Sequence, residues 1–550
     1  MRSPKVEESD KVMAALSSGA RMSSSSSRDE VYVAAVALKG PAQLLFSTAY
    51  SLNFWDLQHF MVILKHRHQH EATVYDFQPE DPENIWVAAA ALSRTKIPGA
   101  ILVRKLAKLP KRKCWFVGYA KADIDDDALH KFNHTWDTHL VLGSHDCRHY
   151  TQVLQLLSLA ATSQTVFDIT KYGATRGADI SEALMKAWKD AIASATASQI
   201  LIPAGDWTLS QAHLAGPNKS PINLEVKGTL KAYPDPAKLP VKTYEWVTIN
   251  YVNFLTISGG GVFDGQGQQA WKANDCHKNS KCAKLPINLS LNFINNSLIQ
   301  DVTTKDSKNF HVNCISSANV TFQRFTVSAP GDSVNTDGIH IARSSNVRVL
   351  DSVIETGDDC ISMGDELTDV LIRGVKCGPG HGISIGSLGK NVQEKDVKGI
   401  TVQGCTFTNT DNGIRIKTWP SAPATLTISD LHFTDLTMVN VSNPIIFDQQ
   451  YCPWNLCSLD KPSEIKISNV EIMNVKGTSA TAEVLVFSCS RSKPCDNVKI
   501  GAVDLKYIGP TPAPTTTRCE NIKPIFSATQ NPPVCSGPPA QPQPKPAPVK

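Results

Sequence analysis

The residues with chemistry to offer gather between positions 335 and 417. Asn335-Thr336-Asp337 is followed by Gly357-Asp358-Asp359, then Gly380-His381-Gly382, then Arg415-Ile416-Lys417. If Asp337, Asp358 and Asp359 lie together they cannot all ionise cheaply, so at least one should hold a proton well above the usual carboxylate range. A shared proton beside a bare carboxylate suits the cutting of a glycosidic bond: an acid protonates the leaving oxygen, and a base or nucleophile works on the other face of the sugar. Singly, each residue has a plainer reading. Asp337 suits a turn, His381 a structural hydrogen bond, and Arg415 and Lys417 a solvated strand face. Only the combination, in register, points to a catalytic cleft.

Residues so far apart in sequence need a fold that brings them together, and the sequence supplies one. A phrase recurs as Asp337-Gly338-Ile339-His340-Ile341, Asp359-Cys360-Ile361-Ser362-Met363, His381-Gly382-Ile383-Ser384-Ile385 and Asn412-Gly413-Ile414-Arg415-Ile416, at offsets of 22, 22 and 31 residues. A near-fixed period carried by short β-branched runs predicts stacked coils, a mainly β, right-handed parallel β-helix with equivalent residues about 4.8 Å apart. Alternation directs Ile339, Ile341, Ile361, Met363, Ile383, Ile385, Ile414 and Ile416 into the stack, and His340, Ser362, Ser384, Arg415 and Lys417 outward. The same alternation would turn Asp337 and Asp359 inward. A bend at the strand entry is therefore expected, and Gly338 and Gly382 have the backbone freedom for it.

The four segments, in this order, resemble the signature motifs of the polygalacturonase family of pectin-cleaving glycosidases. The resemblance spans about 165 to 535. GDDC at 357–360, GHGISIGSLG at 380–389 and DQQYCPW at 448–454 are most similar to the plant pollen-type members, many of them exo-acting. It implies the same β-helix and an inverting hydrolysis of α-1,4 galacturonosyl links that needs no cofactor and no metal. Asp358 would be the general acid, Asp337 and Asp359 would activate the water, and His381 would tune the acid. Arg415 and Lys417 would bind the substrate carboxylate, with Asn335 and Tyr451 as further substrate contacts. An Arg offers such a group a planar fork of donors, and a Lys adds a point charge. A catalytically silent β-helix that binds pectin is the competing expectation, and the intact acids argue against it.

At 550 residues the chain exceeds what one core usually holds, so at least two domains are expected. Apolar residues at 41% and charged residues at 19% fit a globular protein, and a net charge of +4 is too mild for nucleic acid while not opposing an acidic polysaccharide. No apolar run reaches the roughly 18 residues of a membrane span, and a monomer is expected. Of 14 cysteines, only Cys114 and Cys147 precede the solenoid. Close pairs at Cys276/Cys282, Cys452/Cys457, Cys489/Cys495 and Cys519/Cys535 suggest local disulfides, and Cys360/Cys377 a link between coils. These, and sequons at Asn288, Asn295, Asn319 and Asn440, favour a secreted or cell-wall protein. Residues 1–30 are polar and Ser-rich with no apolar h-region, so no N-terminal signal peptide is expected there, and the segment reads as disordered. Instead 153–163 reads like the back half of a signal peptide stranded in mid-chain, or as an amphipathic helix ending the first domain. The first of these readings suggests that two genes or gene fragments are joined here.

Residues 31–150 read as a small α+β domain of unknown function, with strands at 31–36, 59–64 and 74–77 and helices at 84–93 and 152–160. A linker at 151–164 leads to the solenoid at 165–535, and 536–550 is a Pro-rich tail. A helix over 179–195 would cap the open end of the stack. In the first domain, His59 opening a strand and Cys147 opening a helix in Asp146-Cys147-Arg148-His149 are weakly similar to permuted papain-like thiol hydrolases of the lecithin:retinol acyltransferase type. That resemblance implies His59 as base and Cys147 as nucleophile, with Asp76 or His70 orienting the base. A buried Cys and a core His in an inert or binding domain is the plainer alternative.

Overall fold

One change of patterning, from long alternating strands to short repeated ones, separates two compact units, Met1–Ser163 and Gln164–Lys550. The computed structural model describes residues 29–37, 58–66, 71–81, 84, 87, 90, 95–110, 114–120, 126–140, 147, 150–151, 164–241, 243–275, 285–421, 423–453 and 457–535. The Ser-rich start, the segment 153–163, the helix expected at 152–160, His70, the pair Cys276/Cys282 and the Pro-rich tail lie outside the described residues.

In the first unit the expected strands fall within Glu30–Ala37, Gln58–Lys65 and Ala72–Pro79. Two more, Ile97–Leu106 and Cys114–Tyr119, were not legible, because Pro98 and Gly99 interrupt one and a Lys/Arg-rich flank precedes the other. With His139–Leu140 they make an antiparallel sheet in the order Cys114–Tyr119, Glu30–Ala37, Gln58–Lys65, Ala72–Pro79, Ile97–Leu106, His139–Leu140. Val31, Val62, Tyr75 and Phe77 share a core cluster with Leu129 of the helix Asp126–Thr135, and Ala34, Met61, Ile63 and Val74 form a second. A small α+β unit results.

The second unit is a right-handed parallel β-helix. A coil is three short strands, for example Ile339–Ala342, Ser345–Leu350 and Val353–Glu355, and each pairs in parallel with its equivalent in the next coil. Ile339, Ile361, Ile383, Ile414 and Ile445 stack in one inward column, all buried. Each such side chain contributes about 1.5–3 kcal/mol by leaving water. At the corners, asparagines accept the left-handed backbone that other residues resist. Asn296, Asn319 and Asn346 have φ of 51°, 55° and 52°. Their amides form a ladder, Asn319 Nδ2 donating to Asn296 Oδ1 (2.8 Å) and Asn346 Nδ2 to Asn319 Oδ1 (3.1 Å).

Helix Ser181–Ala193 buries Ala183, Leu184, Ala187, Trp188 and Ala191 in the cluster that contains Ile200 and Leu214 of the first coils, as expected of a cap. Four of the expected disulfides are present: Cys360–Cys377, Cys452–Cys457, Cys489–Cys495 and Cys519–Cys535. One sequon is corrected. Asn288 is 1% exposed, and its Nδ2 donates to Thr304 Oγ1 and to the Phe263 and Lys305 carbonyls, so it cannot carry a glycan in the folded chain.

Candidate active site

Strands Ile339–Ala342, Ile361–Met363, Ile383–Leu388, Asn412–Thr418 and Asn443–Asp448 are consecutive in one parallel ladder. The register is His340↔Ser362, Ser362↔Ser384, Ser384↔Arg415 and Lys417↔Asp448, which lays the outward residues in rows across successive coils. At the strand entries the backbone does bend. Gly338 donates to the Asp359 carbonyl (2.9 Å), and Cys360 donates to that of Gly382 (2.7 Å). The two glycines serve different needs. Gly382 has φ +84°, where L side chains are strained, whereas at Gly338 it is space that forbids a Cβ, which would meet the Cys360 carbonyl oxygen at 2.4 Å.

The bend carries Asp337 and Asp359 to the outer face, where they remain 5% and 2% exposed. Asp359 is held from two sides: Ser384 Oγ donates to its Oδ1 (2.7 Å) and Lys417 Nζ to its Oδ2 (2.8 Å). Asp358 is the one of the three acids that reaches solvent. Its Oδ1 contacts His381 Nδ1 at 3.0 Å, and the other ring nitrogen of His381 lies 3.4 Å from Asp411 Oδ2.

The three carboxyls do not share charge evenly. Burial, reinforced by the neighbouring Asp358 and Asp359, pushes Asp337 well above the usual carboxylate range. Burial would push Asp358 the same way, but the hydrogen bond and charge of His381, the Asp359 backbone N–H and Lys417 outweigh it and lower it. His381 is raised: burial opposes its charge, and Asp358, Asp359 and Asp411 more than offset that. Of the three, Asp337 is the acid whose surroundings most favour the protonated form.

The two cations also differ. Lys417, 8% exposed, is committed to Asp359, and that charge outweighs burial to raise it. Arg415 is less committed. Its Nη2 is 3.8 Å from Asp448 Oδ2, and its buried Nε has no partner among the described residues. Both lie over the ring of Tyr451, at 5.1 Å for Arg415 and 5.7 Å for Lys417. Donor atoms of Asp358, Asp359 and His381 lie within 4.8 Å of one another, a spacing that a cation could use. The Lys417 ammonium already sits on Asp359, so the chain supplies a cation there itself.

Asp337, Asp358, Asp359, His381, Arg415, Lys417 and Tyr451 are thus brought together. Asn335 is set at the exposed rim, where its amide donates to Asn309 Oδ1. Other groups belong to the arrangement that residue types alone did not single out. Ser362 and Ser384 were read as outward-facing but are buried against the acids. His340 lies on the same floor, bonded to Ser362 Oγ (2.8 Å), and burial, aided by Arg343 and Lys417, pushes it down to about 4. Asp411 could have been found, because Thr410-Asp411-Asn412-Gly413 echoes Asn335-Thr336-Asp337-Gly338.

Residues 193–531 match the family described as Glycosyl hydrolases family 28. The chain belongs to this family. A polygalacturonase of Nicotiana tabacum is 52% identical over 389 residues, covering 70% of this chain and 96% of its own. An exopolygalacturonase of Oenothera organensis is 50% identical over 361 residues, covering 65% of this chain and 98% of its own. Among solved structures, a hyperthermoactive exopolygalacturonase from Thermotoga maritima superposes with a TM-score of 0.55 at 20% identity, covering 67% of this chain and 92% of its own, a likeness of fold. The family 28 match lies wholly within the second unit, and the site just described falls inside it. No helix among the described residues is long and apolar enough to cross a membrane.

Proposed function

We propose that the second unit hydrolyses the α-1,4 galacturonosyl links of pectin with inversion, acting from the chain end. The observation that carries this is a cation with uncommitted donors, Arg415, beside three clustered carboxyls, of which Asp337 is buried and pushed upward and Asp358 faces solvent. An anionic sugar supplies the acceptor that Arg415 lacks, and its ring then lies against Asp358.

Asp358 is the general acid because it alone of the three reaches the cleft. Its proton arrives with the substrate. Burial already pushes Asp358 upward, and Lys417 is among the charges holding it down. A bound galacturonosyl chain excludes more water and brings its own carboxylate to Arg415, and both effects move the shared proton from Asp337 toward Asp358. Asp359, fixed by Lys417 and Ser384, together with the Asp337 left ionised, takes the proton of the attacking water. His381 is a positioning residue that orients Asp358. Action from the chain end is supported by the named exopolygalacturonase among the relatives, and an extracellular setting by the four disulfides.

The test is release of reducing ends from polygalacturonate by wild type and by Asp358→Asn. A loss of about 10²–10⁴-fold in kcat without loss of fold is expected. Wild-type protein that releases none rejects the hydrolase reading. Sizing the products tests the mode of attack: monomer alone means action from the chain end, and early oligomers mean internal cleavage.

A further inference from the structure

Three aromatic residues of the second unit stand exposed where the backbone least suits them. Tyr251, Phe254 and Phe293 are 57%, 47% and 44% exposed, and their φ angles are 60°, 54° and 55°, the left-handed region that bulky side chains resist. The stack does not require aromatics there. Tyr251 donates its N–H to the Asn292 carbonyl, Phe293 to that of Ile315, Ser316 to that of Ala342 and Arg343 to that of Asp365, so Tyr251, Phe293, Ser316, Arg343 and Glu366 share one corner column. Ser316, Arg343 and Glu366 hold the same left-handed backbone. Asn253, Asn295, Ala318 and Ser345 pair in succession, so Phe254 stands in the column that continues as the Asn296, Asn319 and Asn346 ladder. Tyr251 and Phe293 lie face to face, with centroids 4.7 Å apart and planes 8° apart, and the rest of the patch meets water. Strain kept at exposed positions, where a small or amide residue serves elsewhere, calls for a task.

Beside the patch lies an uncommitted asparagine. Asn295 N donates to the Val252 carbonyl (3.0 Å), and its own carbonyl accepts from Phe254 N (3.0 Å). The residue is thus held next to the Tyr251–Phe254 corner, with Phe293 two positions before it. Its register partner on the other side is Ala318, which offers only a methyl group. Asn295-Asn296-Ser297 is one of five sequons in this unit. The other four asparagines are committed. Asn218 Nδ2 donates to the Ser220 and Asn253 carbonyls (2.8 and 2.7 Å), and Asn288 is buried. Asn319 and Asn440 spend their Nδ2 in corner ladders, on Asn296 Oδ1 (2.8 Å) and Asn409 Oδ1 (2.9 Å). The half-buried Asn295 amide has no partner among the described residues.

We infer that Asn295 carries an N-linked glycan whose first sugar rests on Tyr251, Phe254 and Phe293. A pyranose presents a face of C–H groups that an aromatic surface takes out of water, while its hydroxyls stay hydrated at the rim. The inference rests on the extracellular setting proposed above and not on the hydrolase activity. The co-substrate is an oligosaccharide on a lipid diphosphate. The Asn295 amide nitrogen attacks the anomeric carbon, and a C–N bond forms as the C–O bond to the diphosphate breaks. The nitrogen gives up one proton to a base of the transferase, and the lipid diphosphate leaves. No oxidant or reductant enters.

The test uses the full chain behind a cleavable secretion leader in a glycosylating eukaryotic host, so that a failure at Asn295 is not a failure to enter the secretory route. Peptide N-glycosidase in heavy-oxygen water converts each glycosylated Asn to a labelled Asp, and peptide mass spectrometry reads the occupancy. Asn295 should be occupied in most molecules, and more fully than any other sequon of this unit. Thermal melting then reads the packing of the sugar. Phe254→Asn and Phe293→Ser restore residue types used at these corners in other coils. Each should lower Tm by on the order of 2 °C more in the glycosylated chain than in the Asn295→Gln chain, where relief of strain offsets the lost ring. An unmodified Asn295, or the same change in Tm in both backgrounds, overturns the inference. Neither readout involves pectin, so the hydrolase reading stands or falls separately.

Discussion

Replacing Lys417 by Met removes the cation from a pair that is almost wholly buried, with Nζ 2.8 Å from Asp359 Oδ2 and the two side chains 10% and 3% exposed. The Met fills nearly the same volume, so packing is spared and the loss is electrostatic. Breaking one side of a buried pair costs about 3–5 kcal/mol, most of it from the charge left behind. For a unit of this size that is a fall in Tm on the order of 5 °C. Asp359→Asn should cost a similar amount, because it leaves the ammonium in the same low-dielectric site. In the double variant neither charge is left over, and Ser384 Oγ can still donate to the amide oxygen at position 359. The two changes should therefore fall short of additivity by about 2–3 kcal/mol. Chemical denaturation of the four proteins measures that coupling, and a value below about 0.5 kcal/mol would falsify the view that Lys417 is held by Asp359 rather than free for substrate.

Other outcomes follow from the same geometry. Asp337 and His381 are both raised, so what their protonated forms contribute is complete below the unfolded pKa values and is lost as pH rises through the folded ones. Asp358 is lowered, so its contribution is lost only as pH falls through its depressed value. Pectin hydrolysis should peak on the acid side of neutrality, and His381→Asn should shift the pH–rate profile while leaving KM nearly unchanged. Changing Cys360 and Cys377 to Ser opens a loop of 17 residues next to Asp359 and should cost about 3 kcal/mol, read from denaturation midpoints in oxidised and variant protein. Gly382→Ala places a Cβ 2.0 Å from the Asn412 carbonyl oxygen at φ +84°. Strain and overpacking together should cost about 2–5 kcal/mol and displace His381, so a stable, fully active variant would contradict the bend described here.

The period and the inward isoleucine column were legible because they follow from the strand repeat alone. So was the bend, since Asp337 and Asp359 could not otherwise reach Lys417. What each polar group is committed to was not legible. Ser362 and Ser384 alternate outward, as solvated residues would, yet the acids cover them, and no local pattern distinguishes a wet outward serine from a dry one. Arg415 and Lys417 read as equivalent cations two residues apart. They diverge because Lys417 meets Asp359 two coils back, whereas Arg415 faces Asp448 on the next coil. Asn288 fits the sequon pattern, but its side chain is spent on backbone carbonyls of its own coil and of the coil before it.

The offsets themselves now have a structural reason. Ile339 to Ile361 and Ile361 to Ile383 are 22 residues apart, and Ile383 to Ile414 and Ile414 to Ile445 are 31, although every step is one strand spacing. A coil that is longer in sequence without being taller must place its extra residues outside the stack. In the first long coil they fall just after Leu388, where Glu394 turns its carboxylate back to accept from the backbone N–H groups of Gly389 and Asn391. Lys390, on that loop, lies 5.3 Å over the ring of Trp419, which meets Tyr451 edge-on at 5.3 Å between centroids. The short coils hold the acids at one spacing, where a single residue of slip would turn each of them to the other face. The long coils are free to build a wall beside them. An insertion at 390–393 should therefore alter substrate length preference and spare the acids, whereas one residue added between Asp337 and Asp358 should abolish activity by breaking the register.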